Sequence, residues 1–393
     1  MGTTYHIKVC GNDVASHATE WQQEIDSQLV RLNRLVSTYD PESELSRFNS
    51  SKSVEWFDVS TETARIVHRA IEISALSNGA FDPTVGPLVR AWGFGSGPRS
   101  GTAPSNETIE LLRGSVGYQF VETRLEPPAL RKQHADTELD LSAIAKGYGV
   151  DMISEWLASQ SQVTGYMVEI GGEVRVFGRK NDDSLWTLAI EKPDEFRREL
   201  AYKISLRDES LATSGDYRNY FEQAGQRYSH TIDPQTGRPI THKLASVSVI
   251  APDCMTADAL ATTLNVLGPE KGMNFAKEHQ LVAMFLVRTE TGFEERHSPL
   301  AADRFVSLQE PESQQASPGL IFLLTLGVFG LALVGLALGV IISNRRLKGT
   351  CGGLRGLVDP EGKSACELCS TPKDQCEEFR RKVAQSTQGS SEV

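Results

Sequence analysis

Asp258 and Thr262 stand four residues apart in the stretch "MTADALATTLNVLG" (255–268), whose other positions are mostly apolar or small. On a helix, positions i and i+4 share a face. A carboxylate and a hydroxyl therefore project together from an otherwise greasy element. A buried carboxylate is costly unless it is paired or holds a metal. Two hard oxygens suit Mg²⁺ rather than zinc, and this part of the chain has no His/Cys set at zinc spacing. The competing reading is an aspartate near a helix start that stabilises the helix dipole.

Four further stretches carry candidate chemistry. In "LDLSAIAKGYGVD" (139–151), a strand-like run passes Ser142, and Gly147 and Gly149 open a helix. Glycines at such a turn let a phosphate approach backbone N–H groups at a positive helix end, and Lys146 adds charge. A tight turn with a surface lysine fits the segment equally well, and it has neither Walker A nor dinucleotide-fingerprint spacing. In "AFDPTVGPLVRAWGFG" (80–95), Phe81, Trp92 and Phe94 could wall a planar ligand or simply pack a core. In "SHTIDPQTGRPI" (229–240), His230 precedes a strand-like "TID" and a composition-driven turn. In "LATSGDYRNYF" (211–221), Thr213, Ser214 and Asp216 suit either a polar site or a capped turn.

The elements that must position these groups alternate between strand and helix patterns. "TTYHIKV" alternates like a strand, and Ile25, Leu29, Leu32 and Val36 mark an amphipathic helix. A second helix runs over "STETARIVHRAIEISALSNG", with Ser60 or Thr61 as cap and Asn78-Gly79 ending it. "GYMVEIGGEVRVFGRK" and "WTLAIEKP" look like a hairpin around Gly171-Gly172. "KLASVSVIAP" is a strand leading into the 255–268 helix.

The chain has 393 residues, 39% of them hydrophobic, enough for one large or two medium globular domains. A net charge of −11 argues against nucleic acid as a partner. Residues 1–308 form the large domain, and polar, Pro/Ser-rich residues 309–318 read as a linker. Residues 319–343 hold no charge until "NRRLKG" and are long enough for one transmembrane helix. Positive charge marks the cytoplasmic end. That orientation puts the large domain on the periplasmic side of a bacterial inner membrane and a Cys-rich tail, 344–393, in the cytoplasm. The opening "MGTTYHIKVC" carries no signal peptide as it stands. It begins almost directly in a strand-like run, which leaves room for an upstream segment. Of six cysteines, Cys351, Cys366, Cys369 and Cys376 crowd the tail. On a reducing face they suit iron or zinc better than disulfides.

Taken in order, "MGTTYHI", "LVSTYDPESELSRFN", "FDPTVGPLVRAWGFG", "DLSAIAKGYGVD", "VEIGGEV", "ATSGDYRNYF", "SHTIDPQTGRP" and "TADALATTL" resemble the FAD:protein FMN transferases, the ApbE family. The resemblance spans nearly all of residues 1–300. It implies a two-lobed α+β fold with FAD in a cleft. Matched by motif, it implies flavin contacts at Met1, Tyr39, Ala80, Phe81, Asp82, Asp140, Lys146 and Ile232. It implies Mg²⁺ ligands at the Ala143 carbonyl, Asp258 and Thr262. Some relatives carry a second aspartate where this chain has Ala261. The implied reaction moves FMN from FAD to a threonine or serine hydroxyl of an acceptor flavoprotein, releasing AMP. His230 is the candidate base and Asp216 the second. Residues 319–382 resemble NqrM, an assembly factor of the Na⁺-translocating NADH:quinone reductase. That likeness points to a subunit of this complex as acceptor and to metal-centre maturation by the tail. Two other outcomes are open: an FAD pyrophosphatase giving FMN and AMP, and a non-enzymatic flavin-binding scaffold.

Overall fold

A computed structural model of the chain describes residues 2–97, 101–193, 199–215, 220–223, 226–308 and 318–343. Met1, Asp216, the linker residues 309–317 and the four tail cysteines lie outside the described residues. The chain divides into two units, Met1–Glu310 and Pro311–Val393.

The first unit is α+β. Among the described residues its helices are α1 (Ala18–Val36), α2 (Glu44–Ser50), α3 (Thr61–Leu76), α4 (Gly86–Ala91), α5 (Asn106–Arg113), α6 (Ala145–Ala158) and α7 (Cys254–Glu278). Seven strands make one antiparallel sheet. Its order is Tyr5–Gly11, Val163–Ile170, Glu173–Gly178, Ser210–Gly215, Leu244–Ala251, Val282–Arg288 and Phe293–His297. The strand Leu244–Ala251 is buried at every position. Its Val247, Val249 and Ala251 pack against the core that α3 and α7 share. Ile250 instead joins the core with Trp186, Ile204 and Phe305. These three come from a three-stranded sheet of Trp186–Glu191, Leu200–Leu206 and Phe305–Ser307. Covered faces explain why this strand lacks an exposed side. Ser248, also buried, meets the Thr213 hydroxyl of the neighbouring strand at 2.8 Å.

Local chemistry accounts for the helix limits. Trp21, Ile25, Leu32 and Val36 form the buried stripe of α1. The Ser60 hydroxyl caps α3 by accepting from the Thr63 amide at 3.2 Å. After Ser77 the chain turns through left-handed Asn78 (φ 51°) and Gly79 (φ 77°), the expected stop. Gly171 and Gly172, at φ 65° and 107°, make the turn between Val163–Ile170 and Glu173–Gly178. "WTLAIEKP" does not join that hairpin. Trp186–Glu191 pairs with Leu200–Leu206 in the other sheet. Alternation gives a strand but not its partner, and here the partner lies across the second core.

The second unit is described only over α8 (Pro318–Ser343), 26 residues with no acidic or basic residue in its end turns. Its side chains are described at 322–335 and 338. Among the described residues no helix is long and apolar enough to cross a membrane. The membrane span expected at 319–343 is thus present as a helix but is not established as a span.

Candidate active site

α6 and α7 lie against one another on the central sheet, and each helix start is held by a carboxylate from the other. Asp151 of α6 accepts from the Cys254 and Met255 amides at 2.9 and 2.8 Å, and pairs with Arg175 at 2.7 Å. Asp258 of α7 accepts from the Gly147 amide of α6 at 3.0 Å. Both acids sit where a helix N-terminus is positive. Burial raises the Asp151 carboxyl, while the two amides and Arg175 pull it back down.

The approach that allows this exchange is very close. A Cβ on Gly147 would overlap the Cys254 carbonyl and lie 2.7 Å from Cys254 C and Met255 Cα. The glycines of "AKGYGVD" are therefore inside α6 and buried against their surroundings, with Gly147 spent on helix contact. They do not form an open phosphate turn. Periodicity could not separate the two uses, because both need a residue without a side chain.

Asp258 is 5% exposed, and its charge is compensated from two sides. Besides the Gly147 amide, the Lys146 ammonium lies 3.4 and 3.5 Å from its two oxygens. The same ammonium stands 3.2 Å from Glu173 Oε1. Burial works against the Lys146 charge, but Asp258 and Glu173 outweigh it and hold its pKa above the ordinary value. Glu173 is 4% exposed, and its Oε2 has no hydrogen-bond partner. Burial pushes its carboxyl up to about 8 against the opposing pull of Lys146. Sequence reasoning missed Glu173. Its signal was an acid in the first strand position after a glycine pair, which by pattern alone reads as a solvated strand end.

This cluster floors a cleft of about 480 Å³. The cleft runs between the largest core and a smaller one around Leu88, Trp92, Ile109 and Ile232. All the expected flavin contacts that are described line it: Tyr39, Ala80, Phe81, Asp82, Asp140, Lys146 and Ile232. So do Ala143, Asp258, Thr262 and His230. Their roles differ in detail. Tyr39 is 72% exposed at the mouth. The Asp82 carboxylate is committed to its own loop, accepting from Thr84 N and Oγ1 at 2.8 and 2.6 Å and from Tyr118 N at 2.8 Å. Asp140 holds Ser142 the same way, while its amide donates to Pro83 O at 2.7 Å, tying the two loops together. Asn49 fixes the residue before it, exchanging side-chain hydrogen bonds with the Leu139 N–H and C=O, both at 2.8 Å.

Of the three aromatics proposed as walls, Phe81 and Phe94 line the cleft. Trp92 does not. It is 2% exposed, lies tilted against the Tyr228 ring and donates Nε1–H to Gly237 O at 2.9 Å. His230 meets the Phe94 ring edge-on. Thr213 and Ser214 reach the cleft, and Asp216 lies outside the described residues.

Among the described residues no group of three or more His, Cys, Asp or Glu gathers around one point. What the cleft floor offers is oxygen: the Asp258 carboxylate, the Thr262 hydroxyl and the Ala143 carbonyl. Ala261, where some relatives carry a second acid, is 1% exposed and packed into the apolar core. Asp258 and Glu173 share one ammonium and Glu173 Oε2 has no partner, so the floor holds more acceptor oxygen than its own donors satisfy. That surplus fits a hard cation.

A helix pair packed on an antiparallel sheet, with a half-buried lysine between two buried carboxylates on the floor of a cleft, defines the α+β protein. The family model described as "ApbE family" matches residues 1–286. The chain belongs to the ApbE family. A second family model, "(Na+)-NQR maturation NqrM", matches residues 340–389. The FAD:protein FMN transferase of Vibrio cholerae serotype O1 is 46% identical over 295 residues, 75% of this chain and 87% of the relative. That of Haemophilus influenzae is 41% identical over 298 residues, 75% of this chain and 86% of the relative. Among solved structures, "Flavin Transferase ApbE from Vibrio cholerae" superposes with a TM-score of 0.69 at 44% identity, over 77% of this chain and 95% of that one. The apo Pseudomonas stutzeri flavinyl transferase ApbE gives 0.68 at 38% identity, over 76% and 92%.

Proposed function

We propose that this chain is an FAD:protein FMN transferase, moving FMN from FAD onto a threonine or serine hydroxyl of an acceptor flavoprotein with release of AMP. The observation that carries the reading is the Lys146–Glu173–Asp258 cluster on the floor of a cleft lined by the motif-matched residues. Family membership and the printed function of the relatives support it.

In the reaction, the acceptor hydroxyl oxygen bonds to the phosphorus of the FMN half, and the bridging P–O bond to AMP breaks. The hydroxyl proton passes to a base, and the leaving phosphate carries the released charge. Transfer of this kind depends on positioning and charge neutralisation more than on covalent help. Lys146 supplies one positive charge in the cleft. The cleft walls Phe81 and Ile232 exclude water from the flavin half. Met1, Tyr39, Ala80, Asp82 and Asp140 complete the proposed flavin contacts. His230 is the proposed base, with Asp216 as the second candidate. The Ala143 carbonyl, Asp258 and Thr262 would hold Mg²⁺, which would neutralise the pyrophosphate.

The acceptor is proposed to be a flavoprotein subunit of the Na⁺-translocating NADH:quinone reductase, and the tail to assist metal-centre maturation of that complex. The NqrM match supports both. Cys351, Cys366, Cys369 and Cys376 are the candidate iron or zinc ligands. We place the transferase domain at 1–308, the linker at 309–318, a single membrane anchor at 319–343 and the tail at 344–393. The transferase would face the periplasm and the tail the cytoplasm. The charge-free apolar run and the "NRRLKG" that follows support this arrangement.

The test incubates the purified chain with FAD, Mg²⁺ and an acceptor peptide, and looks by mass spectrometry for FMN on threonine or serine. Labelled peptide with matching AMP release is expected. AMP release that is equal with and without acceptor would instead identify a pyrophosphatase, and no turnover at all would favour a scaffold.

A further inference from the structure

The cleft floor contains more than the proposed metal ligands. Lys146 is suspended between two acids and closely held by neither. Its separations of 3.2 Å from Glu173 and 3.4–3.5 Å from Asp258 exceed those of a tight ammonium–carboxylate pair, about 2.7–2.9 Å. Asp258 does not depend on the lysine for its orientation, because the Gly147 amide holds Oδ2 at 3.0 Å. Glu173 is different: Oε1 meets Lys146, and Oε2 is buried without a partner. The lysine stem lies along the hairpin turn, where a Cβ on Gly171 would be 3.4 Å from Lys146 Cδ.

We propose that Lys146 is an internal counter-ion occupying the charge position of the divalent cation, and that Glu173 is the positioning residue that draws the ammonium off Asp258 when the cation binds. This rests on the proposed metal role of Asp258. In the metal-free protein the ammonium is shared, so neither acid carries an uncompensated charge alone. On cation binding, Asp258 exchanges the lysine for the metal without turning. Glu173 then retains the ammonium inside the cleft, facing the substrate phosphates. An ammonium beside a cation site repels the cation, and Glu173 sets how strongly. The two residues therefore affect metal affinity with opposite signs, although both belong to one cluster.

The experiment titrates the purified full chain with Mg²⁺ alone by calorimetry and with Mn²⁺ by electron paramagnetic resonance. K146Q removes the competing charge and is expected to tighten metal binding about tenfold. E173Q leaves the lysine on Asp258 and is expected to weaken it about tenfold, the scale seen for outer-shell partners of a metal site. The double variant is expected to bind like K146Q, because Glu173 acts only through the lysine. K146M stands beside K146Q in case glutamine is not tolerated. Weaker binding in both lysine variants, or unchanged binding in E173Q, overturns the proposal. A double variant weaker than K146Q also overturns it, by making Glu173 a direct ligand. Wild-type binding that is absent, or that persists undiminished in D258N, refutes the metal role of Asp258 itself and so is distinguishable from failure of the lysine exchange.

Discussion

Substituting Gly147 by alanine sets two physical effects against each other with opposite signs. Gly147 lies inside α6, where alanine is intrinsically better by about 1 kcal/mol. Propensity alone therefore predicts a more stable protein. The added methyl, however, would overlap the Cys254 carbonyl and stand 2.7 Å from two further backbone atoms of α7. Backbone cannot rotate away as a side-chain tip can, so α6 and α7 must separate. Overpacking of this kind costs about 3 kcal/mol at the upper end of its usual range. The net loss is then about 2 kcal/mol. At about 2–4 °C per kcal/mol for a domain of this size, the melting temperature falls by about 4–8 °C. Separation of the helices also lengthens the Gly147 N–H to Asp258 bond, so Mg²⁺ affinity falls with stability. Thermal melting followed by circular dichroism measures the first effect and calorimetry the second. A G147A protein that melts at or above the wild-type temperature refutes the close-contact argument and returns Gly147 to an ordinary helix position.

Three further outcomes are expected. Asp258→Ala abolishes Mg²⁺-dependent AMP release from FAD, and retention of that turnover would remove the carboxylate from the mechanism. Burial raises the folded-state pKa of Glu173 to about 8, above its unfolded value. Its contribution to stability is therefore complete below the ordinary carboxyl range and is lost as pH rises through about 8. In metal-free protein, the melting temperature of wild type relative to E173Q should be higher near pH 5 than near pH 9, and a flat difference across that window would contradict the buried, raised carboxyl. Lys132 is 1% exposed and donates to the Phe48, Asn49 and Thr137 carbonyls at 3.2 Å each. K132M leaves these acceptors without their donor and should cost about 3 kcal/mol in urea unfolding, since each orphaned buried group costs about 1–3 kcal/mol; a loss under about 0.5 kcal/mol would show the ammonium to be dispensable.

The elements were legible where one local rule decided them. The α1 stripe, the Ser60 cap, the Asn78-Gly79 stop and the Gly171-Gly172 turn all follow from residues within one or two turns of each other. The membership of the cleft was legible from motif resemblance, since every described residue that the resemblance implied for the site lines it. Less legible were the uses of individual groups. Trp92 has the composition of a ligand wall but fills a core, because Gly237 O and Tyr228, both more than 130 residues away in sequence, take its polar and apolar sides. Gly147 is likewise spent on helix contact, and the Asp82 carboxylate, which lines the cleft, is also held by Thr84 and Tyr118.

By itself the sequence determined several strand segments, the cap and stop of α3 and the presence of a hard-oxygen pair at Asp258 and Thr262, because these depend on side-chain periodicity and backbone preference over short spans. Only the tertiary structure decided what balances that acid. Lys146, Gly147 and Glu173 come from elements more than 80 residues distant from Asp258. Electrostatic compensation of a buried charge acts through space over a few ångströms, and no spacing along the chain records which groups the packing of two helices on a sheet brings within that distance.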